Sequence, residues 1–139
     1  MLQEARRLVN VSTDFGQVGK LFGHMRSFVS AFPDALDIYN DKATERLLQL
    51  VRQHASGRPG PNVVTGRYLA NFMIVDGKVV NPSPQTRRLE YGFVGTDALG
   101  RMYHQPPFPH FRPALEEMRA EYRRGIVPLI RTTWNATDS

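Results

Sequence analysis

Val63-Val64-Thr65-Gly66-Arg67-Tyr68-Leu69-Ala70-Asn71-Phe72-Met73-Ile74-Val75-Asp76-Gly77-Lys78-Val79-Val80 is the stretch on which the fold turns. It is rich in β-branched and aromatic residues, which suit a pleated, half-buried surface. Asp76-Gly77 divides it into two apolar runs, and Asp-Gly fits the tight turn between antiparallel strands because both residues tolerate positive φ. The pattern predicts two antiparallel strands, roughly 67–75 and 78–82, ended by Asn81-Pro82-Ser83-Pro84. A lone hairpin is not stable in water. It must pack on helices or pair with further strands, some of which could come from neighbouring subunits.

Upstream, the period changes. Leu36, Tyr39, Ala43, Leu47 and Leu50 recur at intervals of three and four, with Leu48 and Val51 widening the stripe. Pro33 suits a first helical turn, and Asp34 and Asp37 place negative charge at the positive end of the helix dipole. Arg46, Arg52 and His54 gather toward the other end. Gly57 and Arg58-Pro59-Gly60-Pro61 stop the helix after about six turns. Before it, Leu8, Val11, Phe15, Val18, Leu21, Phe22, Met25, Phe28 and Val29 also follow a helical spacing. Gly16, Gly19 and Gly23 each cost about 1 kcal/mol against alanine in a helix interior. A partly helical segment over 1–31, broken near Thr13–Gly19, is expected.

Downstream, Gln85 to Gly92 reads as a short helix closed by Gly92. Phe93 to Phe111 reads as a long proline-rich loop, because Gly95, Gly100, Pro106, Pro107 and Pro109 interrupt any long element. The last helix begins at Pro113, with Leu115, Met118, Tyr122, Ile126 and Leu129 on one face. Gly125 and Pro128 predict that it ends or bends near 124–127. The fold class is therefore α+β: a long amphipathic helix and a C-terminal helix packed on a small antiparallel sheet. Three regions follow: the segment 1–31, a single domain over 32–133, and a flexible tail over 134–139.

A chain of 139 residues, 41% apolar and 22% charged, has the material for one globular domain. It has no cysteine, which removes disulfides and thiolate ligands together. No stretch approaches the about 20 apolar residues needed to span a bilayer. Met1 to Arg7 lacks the pattern of a secretory signal, so a soluble chain working inside a cell is expected. The net charge of +5 is spread: residues 1–60 carry eight cations against six acids, and residues 61–139 carry ten against seven. No basic block emerges, and a solvated, mildly basic surface is the plain reading. A small nucleic-acid-binding module is the alternative that this charge keeps open.

Residues suited to chemistry are scattered. His104 and His110 share a stretch with Asp97, so a two-histidine, one-carboxylate metal site, and a hydrolase built on it, can be imagined. The prolines between the histidines deny them a helical i, i+4 spacing. Glu116 and Glu117 are adjacent on a helix and diverge, which makes them poor acid–base partners. No serine sits in a nucleophile-elbow pattern, and no glycine loop leads into Lys-Ser or Lys-Thr. No enzyme is expected.

Three segments resemble one family. Thr65-Gly66-Arg67-Tyr68 resembles the Thr-Gly-Arg-Leu step after the long helix of tail-completion, or neck, proteins of long-tailed bacteriophages. Arg88-Leu89-Glu90-Tyr91-Gly92 is similar to that family's aromatic-acidic-aromatic-Gly segment. Gln105-Pro106-Pro107-Phe108-Pro109-His110-Phe111-Arg112-Pro113-Ala114-Leu115 looks like its proline-rich lead into the last helix. The segments occur in the family's order, and the likeness spans 32–130. The chain departs from it at Pro61-Asn62-Val63-Val64, where a Pro-Val-Asp-like run is usual.

The resemblance implies a structural virion protein, a subunit of the ring that joins phage head to tail, with no cofactor and no catalysis. Its partners would be further copies of itself, six by analogy with tail symmetry, together with head-closure or connector proteins and tail-terminator or tail-tube proteins. DNA would pass through the lumen, and assembly would occur in the host cytoplasm, without a membrane. The expected contact residues are the aromatic Phe93, Tyr103, Phe108 and Phe111 and the cationic Arg87, Arg88 and Arg101. The aromatics either grip a neighbour or fold back as a lid on the chain's own core. The arginines either pair with a neighbour's acids or are solvated. Trp134, the sole tryptophan, either caps the core or anchors the tail to a partner.

Overall fold

The computed structural model describes the backbone of residues 2–138 and the side chains of residues 16–138. The chain is α+β, with a long helix and a C-terminal helix packed on two small antiparallel sheets rather than one. Helix α1 runs from Leu2 to His54 without interruption. The expected break near Thr13–Gly19 is absent, and so is the boundary at residue 31. Pro33 lies inside the helix, not at its start. Three glycines and the N–H missing from Pro33 weaken the helix but leave most of its i to i−4 bonds intact. Leu8, Val11 and Phe15 lie outside the described side chains.

α1 ends where its last carbonyl is covered. The chain turns back at Gly57, through a cis Arg58–Pro59 bond, and brings Gly60 against the carbonyl of His54. A Cβ on Gly60 would lie 1.9 Å from that oxygen, so only glycine fits there.

The region read as a first strand over 67–75 divides in two. Arg67–Ala70 is a helical turn, α2, and only Met73–Val75 is extended, as β1. Tyr68, within the turn, and Phe72, just beyond it, bring their rings together at 5.2 Å between centroids. Strand geometry would serve this pair as well on the alternation rule, but Gly66 at φ 80° starts a turn and Ala70 N–H donates to the Gly66 carbonyl. β2, Lys78–Val80, pairs with β1 in the register Met73↔Val80, Ile74↔Val79 and Val75↔Lys78. Asp76 and Gly77 both have positive φ, the geometry that matches strand twist.

Helix α3, Thr86–Tyr91, closes at Gly92 as its sequence suggests. The stretch read as loop contains a second hairpin: β3, Phe93–Thr96, and β4, Met102–Gln105, paired from Phe93↔Gln105 to Thr96↔Met102. Helix α4 spans Phe111–Ala136, with Gly125 and Pro128 inside it. It neither ends near 124–127 nor leaves 134–136 as tail.

Two units are distinguished by their contacts: Tyr39–Arg124, and Met1–Ile38 with Gly125–Ser139. The first holds the core of Leu50, Val51, Ala55, Phe72 and Ala114, flanked by Leu47, Tyr68, Phe111 and Met118. Here α1 and α4 are tied by Tyr39, whose hydroxyl donates to the Tyr122 carbonyl, and by Arg46, which grips Glu121 with two nitrogens at 3.1 Å. In the second unit His24 stacks on Trp134 at 3.6 Å between centroids and its Nε2 donates to the Trp134 carbonyl. Phe28 approaches the same indole at 5.7 Å. Among the described residues, no helix is long and apolar enough to cross a membrane.

Candidate functional site: a buried glutamate and histidine beneath an exposed hairpin

The base of the site is a carboxylate in the core. Glu90, near the end of α3, is buried, and its two oxygens accept the backbone N–H groups of His110, Phe111 and Arg112 at 2.9–3.0 Å. These are the donors that the first turn of α4 leaves without helical partners. The next residue is Pro113, which has no N–H to satisfy. One side chain and one proline therefore account for the whole N-terminus of α4, and the carboxylate also sits at the positive end of its dipole.

His110 is completely buried. Its Nδ1 lies 2.9 Å from the Phe108 carbonyl and 3.2 Å from Glu90. A carbonyl can only accept, so Nδ1 carries the proton, and Nε2 is left to accept from the Tyr68 hydroxyl. Burial pushes the Tyr68 hydroxyl up to about 12, and the charge of Glu90 adds to the shift. Glu90, His110 and Tyr68 thus bring α3, α4 and α2 together. Phe72 and Phe111 stand against the imidazole at 5.8 and 5.0 Å.

Above this base stands the second hairpin. Gly92, at φ 81°, turns the chain from α3 into β3, and a Cβ there would lie 2.8 Å from the Gln105 carbonyl. The Phe93 ring folds over Gly95, where a Cβ would meet it at 2.7 Å. Arg88 covers the other side of that ring, its guanidinium 4.0 Å from the centroid. At the tip, the Asp97 carboxylate accepts from the N–H groups of Leu99 and Arg101 and pairs with the Arg101 side chain at 2.8 Å. Those bonds, the Arg101 N–H foremost, hold the Asp97 carboxyl below its ordinary value.

The hairpin's exposed side chains mix large apolar groups with Thr96, Arg101 and His104. Val94, Leu99 and Met102 are 65%, 77% and 81% exposed, and Tyr91 at its base is 76% exposed. Beside it opens a groove of about 510 Å³ lined by Tyr68, Tyr103, Phe108, Arg58 and Arg67.

The eight residues singled out in the sequence fall into different surroundings. Arg87 is exposed, Arg88 lies on Phe93, and Arg101 is paired with Asp97 of its own turn. Phe93 and Phe108 are half-buried beneath arginines, Phe108 under Arg58 at 3.8 Å. Phe111 packs on the core, and Tyr103 is exposed on β4. Trp134 belongs to the other unit, against His24 and Phe28. Tyr91, Val94, Leu99 and Met102, all exposed, are not among those eight. Strand alternation was the signal available for Val94 and Met102, but Gly95 and Gly100 masked it.

Asp97, His104 and His110 are not assembled into a metal site. Asp97 is engaged in its own turn, His104 is exposed on β4, and both ring nitrogens of His110 have protein partners. Among the described residues no group of three or more His, Asp or Glu side chains is placed to hold a metal. Comparison with known protein families, with curated proteins and with solved structures finds no match.

Proposed function

We propose that the chain is a structural subunit of a phage neck ring, a tail-completion protein that joins head to tail and performs no catalysis. The observation that carries this reading is the β3–β4 hairpin, which holds Val94, Leu99 and Met102 out to solvent on a base fixed by Glu90 and His110. Large apolar side chains gathered on a short, exposed hairpin mark a surface that another protein covers. A rigid base means that little conformational entropy is lost when they are covered. The order of helix, hairpin, short helix and terminal helix also supports the reading, because it follows the resemblance to neck proteins. Within it, the ring has six copies and meets connector proteins on one side and tail proteins on the other.

Light scattering coupled to sizing of the purified chain, followed by incorporation into tail-less or head-less particles, tests it. A closed oligomer that incorporates into particles is expected. A strict monomer at all concentrations that never enters a particle would overturn the reading. Within it, Met102→Ser with Leu99→Ser should leave folding intact and abolish incorporation.

A further inference from the structure

The groove of about 510 Å³ in the Tyr39–Arg124 unit is walled by the connection that follows α1 and by the second hairpin. Sites that enclose a ligand commonly measure about 300–1,000 Å³. The covered part of the lining is apolar, made by Ala55, Tyr68, Leu69, Leu89 and Phe108. Tyr103 and Gln105, two apart on β4, enter it from one face of the hairpin.

The charge of the lining has one sign. Arg58 and Arg67 belong to it, and no Asp or Glu does. Both arginines are exposed, and among the described residues neither forms an ion pair. Arg58 lies on the Phe108 ring and donates one nitrogen to the Gly60 carbonyl, contacts that aim its charge without neutralising it. Glu90, whose charge reaches Tyr68, is buried, and both its oxygens are taken by the N–H groups that begin α4.

The third feature is bare backbone. Asn62, Val63 and Val64 line the groove and belong to no helix or strand. Among the described residues their N–H and C=O groups have no protein partner. Water satisfies them at the surface, and a second extended backbone offers the same bonds together with its side chains. Val63 and Val64 are also 49% and 90% exposed, so the rim is apolar. Nucleic acid suits this combination less well. Its phosphodiester backbone has no N–H for the free carbonyls, and two cations make a short track for it.

We propose that the groove holds an extended, acidic peptide segment of a partner protein. Its carboxylates meet Arg58 and Arg67, its backbone runs along Asn62–Val64, and an apolar side chain enters the covered lining. This site goes beyond the neck reading and does not depend on it. Both arginines are exposed, so binding weakens with added salt.

Calorimetry and amide hydrogen exchange on the whole chain test it, with three probes: a capped peptide alternating glutamate and leucine, its lysine–leucine counterpart, and single-stranded oligothymidylate. The glutamate peptide should bind and the lysine peptide should not. Binding should slow amide exchange at Asn62–Val64 at least tenfold. Arg67→Glu, an exposed change whose folding circular dichroism checks, should weaken binding at least tenfold, and Arg67→Lys far less. Failure of the glutamate peptide to bind would overturn the proposal. So would binding indifferent to Arg67→Glu, or exchange at 62–64 left unslowed. Tighter, Arg67-dependent binding of oligothymidylate would also overturn it and assign the groove to nucleic acid. A change of oligomeric state on Arg67→Glu would do the same in favour of a second copy of this chain.

Discussion

In Tyr39–Arg124 the side chains of Leu50, Val51 and Phe72 are almost wholly covered, whereas Phe22 and Val29 in the other unit keep 56% and 67% of their surface exposed. The contrast extends to polar groups. Glu90 and His110 are buried with every partner supplied by the chain itself, while the His24 pairing with Asp138 is a 3.9 Å contact to an exposed carboxylate. Both regions use the same two helices and similar residue types. What separates them is that α2, α3 and the hairpins close over the helices in one region, and among the described residues no further element does so in the other. The first carries its stabilising contacts within the chain. The second keeps large apolar side chains, Phe22 and Val29 among them, at the solvent.

The largest effect that would break this comparison is expected at Glu90. Glu90→Ala leaves one buried and two partly buried N–H groups without their acceptor and should destabilise the protein by about 2–4 kcal/mol. Urea unfolding measures it; a loss under 1 kcal/mol would mean that α4 does not depend on this carboxylate. Next in size is Trp134→Ala, which removes a half-buried ring and should cost about 1–2 kcal/mol. Its effect should be local, raising hydrogen exchange in Gly125–Ala136 while Tyr39–Arg124 stays protected. A uniform rise across the chain would show that the two regions unfold as one.

Tyr68 gives a smaller, pH-dependent effect. Its hydroxyl ionises near 10 in the unfolded chain and at about 12 in the folded one. The folded state therefore keeps a proton that the unfolded state loses. The stability this contributes is complete below pH 10 and is lost as the pH rises toward 12. Tyr68→Phe should flatten the alkaline limb of the stability curve, and an unchanged limb would assign it to other groups. The smallest effect sharpens the comparison from the other side. Gly23 is helical, exposed and has open space where a Cβ would stand. Gly23→Ala should raise stability by about 0.5–1 kcal/mol in thermal unfolding. If it also impairs assembly, the glycine serves a neighbour and not the fold.

The amphipathic stretch 36–51, the Asp76-Gly77 turn, the Gly92 stop and the α+β class were legible from residues alone. These are local features: apolar spacing and positive-φ residues act over a few positions and need no partner far along the chain. The aromatic content of 93–111 was legible too, though not which rings turn inward, since that depends on Arg58 and Arg88 arriving from elsewhere.

The sequence by itself determined where the chain has helical period, where it must reverse and that it has no cysteine chemistry. Tertiary structure alone decided that Glu90 would start α4, that His110 would be a buried link and not a ligand, and that Pro33 and Pro128 would sit inside helices. Those outcomes depend on groups 20 or more residues apart meeting with correct geometry, as Glu90 and His110 do. A local proline or glycine penalty of a few kcal/mol is outweighed once such contacts form, and no local pattern records them.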